Sequence, residues 1–154
     1  MNAIVVNTGR IGPFILLSRI TAVGDDGITA TANPMGEGDY FIVEALAQCG
    51  AFHARYVTEF ERHAFLLSVR KLDLLLDAPP EKQLSVSAIK TGGSDNAVHY
   101  AVSAAVANDD GSLPVASGDF TIALADYGGR FRKDILKPYY EKAFACLLKN
   151  LKTG

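Results

Sequence analysis

Glu44 is the one carboxylate within Tyr40-Phe41-Ile42-Val43-Glu44-Ala45-Leu46-Ala47, an otherwise apolar run. An unpaired carboxylate among apolar neighbours is costly, so such a group ends up neutralised, paired or used. A carboxylate on an apolar helix suits general acid–base work near neutral pH. Gly36 and Gly38 lie just ahead of it. Glycines leading into a helix can leave backbone N–H groups free to face an anion or a polarised carbonyl oxygen. They can equally well serve only to turn the chain. A base beside such a helix end fits chemistry at a thioester carbonyl or at its α-carbon.

The other residues capable of chemistry are few. His53 falls on the opposite side of the helix from Glu44, so the two cannot form a dyad there, and it reads as a satisfied core histidine. His63 and His99 lie in strand-like segments with no nearby acid or nucleophile in sequence and read as structural. The chain has no GxSxG, P-loop, HExxH or dinucleotide-binding glycine fingerprint, and no clustered ligand spacing for a metal.

The element that must position Glu44 is the stretch 39–62, with Asp39 as N-cap. At about 100° per residue, Glu44, Gln48, Ala51, Arg55 and Glu59 form a narrow stripe. Ile42, Leu46, Cys49, Phe52, His53, Tyr56, Val57 and Phe60 fill the broad opposite face. The stripe faces solvent, a cleft or a subunit interface, and Ala47, Ala51 and Ala54 would permit close approach by a thin ligand or another backbone.

Around this helix the chain reads as strands. Residues 13–23 and 28–32 form a hairpin about Gly24-Asp25-Asp26-Gly27. Four more strands follow, 63–77, 83–91, 98–107 and 115–125, joined by Pro- and Gly-containing turns. The last four strands read as a meander, and such runs of hairpins predict an antiparallel sheet, which one long helix can cover if the sheet curls around it. Residues 130–152 predict a second helix, with Ile135, Tyr139, Ala143, Cys146 and Leu147 inward and a lysine-rich remainder. That helix packs on the domain surface or docks an acidic partner.

Composition bounds the function. The 154 residues suit one domain, 1–154, with a core over 13–125. A net charge of −2 without a basic patch argues against nucleic-acid binding. No apolar run approaches the roughly 20 residues of a membrane span, and no signal-peptide pattern opens the chain. Cys49 and Cys146 lie in apolar helical stretches outside any CxxC and read as reduced core residues, consistent with the cytoplasm.

Ile42-Val43-Glu44-Ala45-Leu46-Ala47-Gln48 resembles the central-helix motif of the β-hydroxyacyl-ACP dehydratases of fatty-acid synthesis, which have the hot-dog fold. Residues 13–20, Asn33-Pro34 and 76–84 are similar to that family's first strand, pre-helix loop and a later turn, so the likeness spans roughly 13–125. The resemblance implies an α+β hot-dog fold: about six antiparallel strands wrapped around one central helix, here with an added C-terminal helix. It implies a dimer with sites at the interface and a substrate carried on the phosphopantetheine of acyl carrier protein or CoA, with no other cofactor. It also implies loss of water from a 3-hydroxyacyl chain by a histidine and a glutamate from different subunits. Glu44 matches the glutamate as the catalytic group. Gly36, Gly38, Asp39 and Gln48 become the candidate thioester- and acyl-binding residues. The histidine is missing: Thr29 or Ala30 stands in its place, and neither can shuttle a proton.

Three functions follow. One is a dehydratase of fatty-acid or polyketide-type synthesis whose histidine comes from a second hot-dog subunit. Another is an acyl thioesterase using Glu44, since some hot-dog thioesterases use a helix glutamate without a histidine. The third is a non-catalytic acyl- or carrier-binding subunit of a heterodimer.

Overall fold

The computed structural model describes residues 15–33, 39–75, 82–108, 111–128 and 131–153. In chain order the elements are β1 (Leu17–Val23), β2 (Gly27–Ala32), α1 (Asp39–Val57), β3 (His63–Leu74), β4 (Leu84–Ser94), β5 (Ala97–Asn108), β6 (Gly111–Ala125) and α2 (Lys133–Thr153). The strands form one antiparallel sheet in the order β1-β2-β4-β5-β6-β3. β3 follows α1 directly but pairs with β6 at the far side, because α1 carries the chain across the sheet. β1 and β3 are therefore the sheet edges, and the meander expected of the last four strands holds only for β4, β5 and β6.

Strand alternation sets the two faces. In β2, Ile28, Ala30 and Ala32 are buried, while Thr29 and Thr31 turn outward and bond Thr21 and Ser18 on β1 at 2.7 and 2.8 Å. Leu84, Val86 and Ala88 of β4 and Val98, Tyr100, Val102, Ala104 and Val106 of β5 continue the inner face. Outside, Ser87 meets Ser103 at 2.8 Å.

α1 lies in the concavity and contacts all six strands. Gly50 is where it comes closest: a β-carbon there would stand 3.3 Å from Ile122 and 3.5 Å from Tyr100. His53, fully buried, is tied at both ring nitrogens, to the Tyr100 hydroxyl at 2.7 Å and the Gly24 carbonyl at 2.8 Å. A carbonyl only accepts, so Nε2 carries the proton and Nδ1 accepts from Tyr100. This is the satisfied core histidine expected from the sequence.

Two further sequence expectations change. The central helix ends at Val57, not Arg62. Phe60 N–H bonds the Arg55 carbonyl at 2.7 Å and Glu59 N–H bonds the Tyr56 carbonyl at 3.0 Å, with Glu59 and Phe60 at φ of 57° and 62°. This is a Schellman termination, built here without glycine. On α2 the buried stripe is Ala143, Phe144 and Leu147 with half-buried Tyr140, rotated by about one residue from the expected one. The rings of Phe52, Tyr56 and Phe60 receive Phe144 at 6.1, 5.7 and 5.3 Å, and that packing fixes the rotation. Ile135 and Cys146 therefore face outward, so Cys146 is not a core residue. Cys49 is, and burial pushes its thiol up to about 12.

Lys133 and Lys137 of α2 are already paired with Glu61, and Lys137 also with Glu141. Among the described residues no helix is long and apolar enough to cross a membrane.

Candidate functional site

The stripe of α1 faces a cleft. Its floor is Glu44, Ala47, Gln48, Ala51 and Arg55; Phe65 and Leu66 of β3 form one wall, and Tyr139 and Tyr140 of α2 close the other. The cleft volume is about 310 Å³, at the lower end of small-molecule sites. The alanines keep the middle of the floor shallow and apolar. The two charged residues stand three turns apart, about 16 Å along the helix axis.

Gln48 organises the Glu44 end. Its Nε2 donates to Glu44 Oε2 at 3.3 Å, and its Oε1 accepts from the Leu16 N–H at 2.8 Å. The amide thus orients the carboxylate and holds the segment entering β1 against the helix. Gly36 and Gly38 lie outside the described residues. Asp39 is the first residue of α1. On β2, Ala30 faces the core and Thr29 faces outward onto Thr21, so neither position offers a proton-transfer group beside Glu44.

The Arg55 end was not singled out from the sequence. Arg55 is only 4% exposed; its Nη2 donates to the Ala64 carbonyl at 2.6 Å, and its guanidinium lies 3.6 Å from the centroid of the Tyr140 ring. Burial pulls its pKa down while Tyr140, Tyr127 and Tyr139 oppose that pull. Guanidinium starts so basic that it stays protonated. His63 is buried beside it, with its ring 4.5 Å from that of Phe131. Desolvation, with the Arg55 charge adding to it, lowers His63 to about 4 and keeps it neutral at physiological pH. The available signal was a cation inside the apolar run Phe52-His53-Ala54-Arg55-Tyr56-Val57, the same anomaly that marks Glu44. His99 lies elsewhere, bonded to Thr121 at 2.9 Å on β5 and β6. Among the described residues no group of three or more His, Cys, Asp or Glu could hold a metal ion.

A six-stranded antiparallel sheet curled around one central helix defines a hot-dog-fold protein of the α+β class. Solved structures share the arrangement. The dehydratase heterocomplex ApeI:P from Xenorhabdus doucetiae aligns with a TM-score of 0.60 at 13% identity, over 74% of this chain and 85% of that one. A thioesterase family protein from Silicibacter pomeroyi gives 0.59 at 14% identity, over 72% and 86%. A hypothetical thioesterase from Streptococcus pneumoniae TIGR4, solved with coenzyme A, gives 0.55 at 11% identity, over 70% and 85%. No family model and no curated protein matches the sequence. At these identities the likeness is one of fold.

Proposed function

We propose that this chain binds an acyl thioester, on acyl carrier protein or CoA, with Glu44 as the catalytic carboxylate of a β-hydroxyacyl-ACP dehydratase-like site. The observation that carries the reading is Glu44 itself, oriented by Gln48 at one end of a cleft whose floor continues as alanine. A carboxylate so placed can take a proton from a thioester's α-carbon or, when protonated, give one to a β-hydroxyl that leaves as water. The Gly36–Asp39 segment entering α1 is the part of the site proposed to face the thioester carbonyl.

Dehydration also needs a second proton-transfer group, and none of the three histidines stands with Glu44. His53 is locked in the core, His63 sits at the Arg55 end and His99 bonds Thr121. A partner subunit is the proposed source. Among the described residues the outer edge of β3 is unpaired, and Phe65, Leu67, Val69 and Leu74 along it are exposed, Leu67 by 59%. Val69 and Leu74 pair with the buried Phe120 and Ala116, so they lie on the concave side, where none of the described residues covers them fully. A long apolar edge of this kind suits edge-to-edge pairing with another hot-dog subunit, either a second copy or a chain carrying the histidine. The neighbouring dehydratase heterocomplex favours the second arrangement.

Hydrolysis of the thioester by Glu44 alone is the competing reading, favoured by the thioesterases among the fold neighbours. The test is an assay of the purified protein against 3-hydroxyacyl and plain acyl thioesters, with Glu44→Gln as control, and co-purification from the native host. Glu44-dependent dehydration, alone or with a co-purified hot-dog subunit, supports the dehydratase. Glu44-dependent hydrolysis moves the protein to the thioesterases. Acyl binding without turnover in any of these preparations leaves a non-catalytic subunit.

A further inference from the structure

We propose that the Arg55 end of the cleft is a subsite for a carboxylate carried at the end of an apolar chain. Arg55 is buried on the cleft floor, yet no carboxylate among the described residues reaches it. Its partners are one backbone carbonyl and the Tyr140 and Phe52 rings, and its Nε has no hydrogen-bond partner among the described residues. Two other buried polar atoms nearby are also unpartnered: Nδ1 of His63, itself only 8% exposed, and the Tyr127 hydroxyl. The His63 ring lies 6.1 Å from the Tyr127 ring and 6.2 Å from the Tyr140 ring on which the guanidinium rests, so the three residues meet in one corner, of which Arg55 lines the cleft and His63 and Tyr127 stand behind it.

Buried polar groups are nearly always bonded, and a cluster of exceptions calls for an occupant. A water beside the guanidinium could accept a hydrogen bond but would leave its charge uncompensated. A carboxylate supplies the missing charge, and its two oxygens accept from a guanidinium in the geometry Arg favours. The Tyr127 O–H and, in its Nδ1–H tautomer, His63 are further donors to the same group. One guanidinium balances one negative charge, which favours a carboxylate over a phosphate. Between this corner and Glu44 the cleft offers Ala47, Ala51, Phe65 and Leu66, so the acid arrives on a hydrocarbon chain. With the thioester at Glu44, the substrate is an acyl chain of medium length with an acidic far end. That last step rests on the proposed function; the carboxylate subsite does not.

The test uses the whole ¹⁵N-labelled protein, following the Arg55 Nε–H resonance during titration with decanoate and, separately, with 1-decanol. Arg55→Lys assigns the resonance. Tyr127→Phe keeps the ring and removes only the hydroxyl, so it remains informative if Arg55 variants fail to fold. The expected result is that decanoate binds about tenfold more tightly than decanol and moves the resonance, and that Tyr127→Phe loses severalfold of that preference. Equal binding of acid and alcohol, no binding of either, or decanoate binding that leaves Arg55 unmoved overturns the subsite. Decanoyl-CoA serves as a third probe. If it is ignored while decanoate moves Arg55, the thioester reading falls and the subsite stands. If decanoyl-CoA binds while acid and alcohol bind alike, the subsite falls alone.

Discussion

The guanidinium of Arg55, on the central helix, rests 3.6 Å from the ring centroid of Tyr140 on the C-terminal helix. This contact joins the two helices at the Arg55 end of the cleft, where Arg55 has no carboxylate partner among the described residues. A desolvated cation–π contact is worth about 2 kcal/mol, more than an exposed one. Tyr140→Leu should therefore lower stability by about 2 kcal/mol or more in urea denaturation, whereas Tyr140→Phe, which keeps the ring, should cost less than about 0.5 kcal/mol. Equal losses in the two variants would show that the ring face does not hold the guanidinium.

Glu59 occupies a position where glycine is usual. Its φ of 57° is left-handed, and its N–H completes the helix termination on Tyr56. An L-residue there carries a backbone cost of roughly 1 kcal/mol that glycine does not, although glycine loses more entropy on folding. Because the Glu59 side chain is exposed, Glu59→Gly should be neutral to stabilising, by up to about 1 kcal/mol. Thermal unfolding of the two proteins decides it, and a clear loss of Tm in the variant would contradict this account of the helix end.

The same helix end shows where the sequence stops being legible. Tyr56-Val57-Thr58-Glu59-Phe60 keeps helical hydrophobic spacing and contains no glycine, so nothing local marks the stop after Val57. The strands themselves were readable because the turn at Gly24-Asp25-Asp26-Gly27 and the alternation of Ile28 to Ala32 are local signals. The place of β3 was not, since its pairing with β6 at the far edge is a long-range contact that no turn marks. Glu44 was readable as a charge in an apolar run, and the cleft its stripe faces was among the readings that run allowed. The face of the last helix was not, because its apolar residues permit two overlapping stripes and only Phe144 meeting Phe52, Tyr56 and Phe60 selects one. The corner formed by Arg55, His63 and Tyr127 is a tertiary product: the residues are scattered along the chain and meet only when Tyr140 covers them.

His63 makes stability depend on pH. Its folded-state value of about 4 lies below the ordinary 6.5, so between these limits the unfolded chain binds more protons. Stability is then fully present above about pH 6.5 and falls as pH drops towards 4. The loss is on the order of 1–3 kcal/mol, and His53, whose value burial also lowers, adds to it in the same direction. Urea midpoints measured from pH 7.5 to 4.5 should fall steadily, and more shallowly in His63→Phe. An identical slope in that variant would show that His63 is not the group being protonated.

Gln48 and Glu44 separate the chemistry of the cleft from its architecture. Gln48 bonds both the Glu44 carboxylate and the Leu16 N–H, so Gln48→Ala frees the acid and strips a part-buried backbone donor of its partner. That variant should lose about 1–2 kcal/mol of stability, together with part of any activity. Glu44→Gln keeps the size of the side chain and the hydrogen-bonding capacity but cannot take up a proton. Under the proposed function its turnover falls by at least about a hundredfold, the lower range for a general acid–base group, with acyl binding and Tm retained. The two variants thus differ in stability, which falls for Gln48→Ala and holds for Glu44→Gln, while turnover falls in part for the first and by far more for the second. If Glu44→Gln turns over acyl thioesters at the wild-type rate, the catalytic role assigned to Glu44 is wrong, whatever the cleft binds.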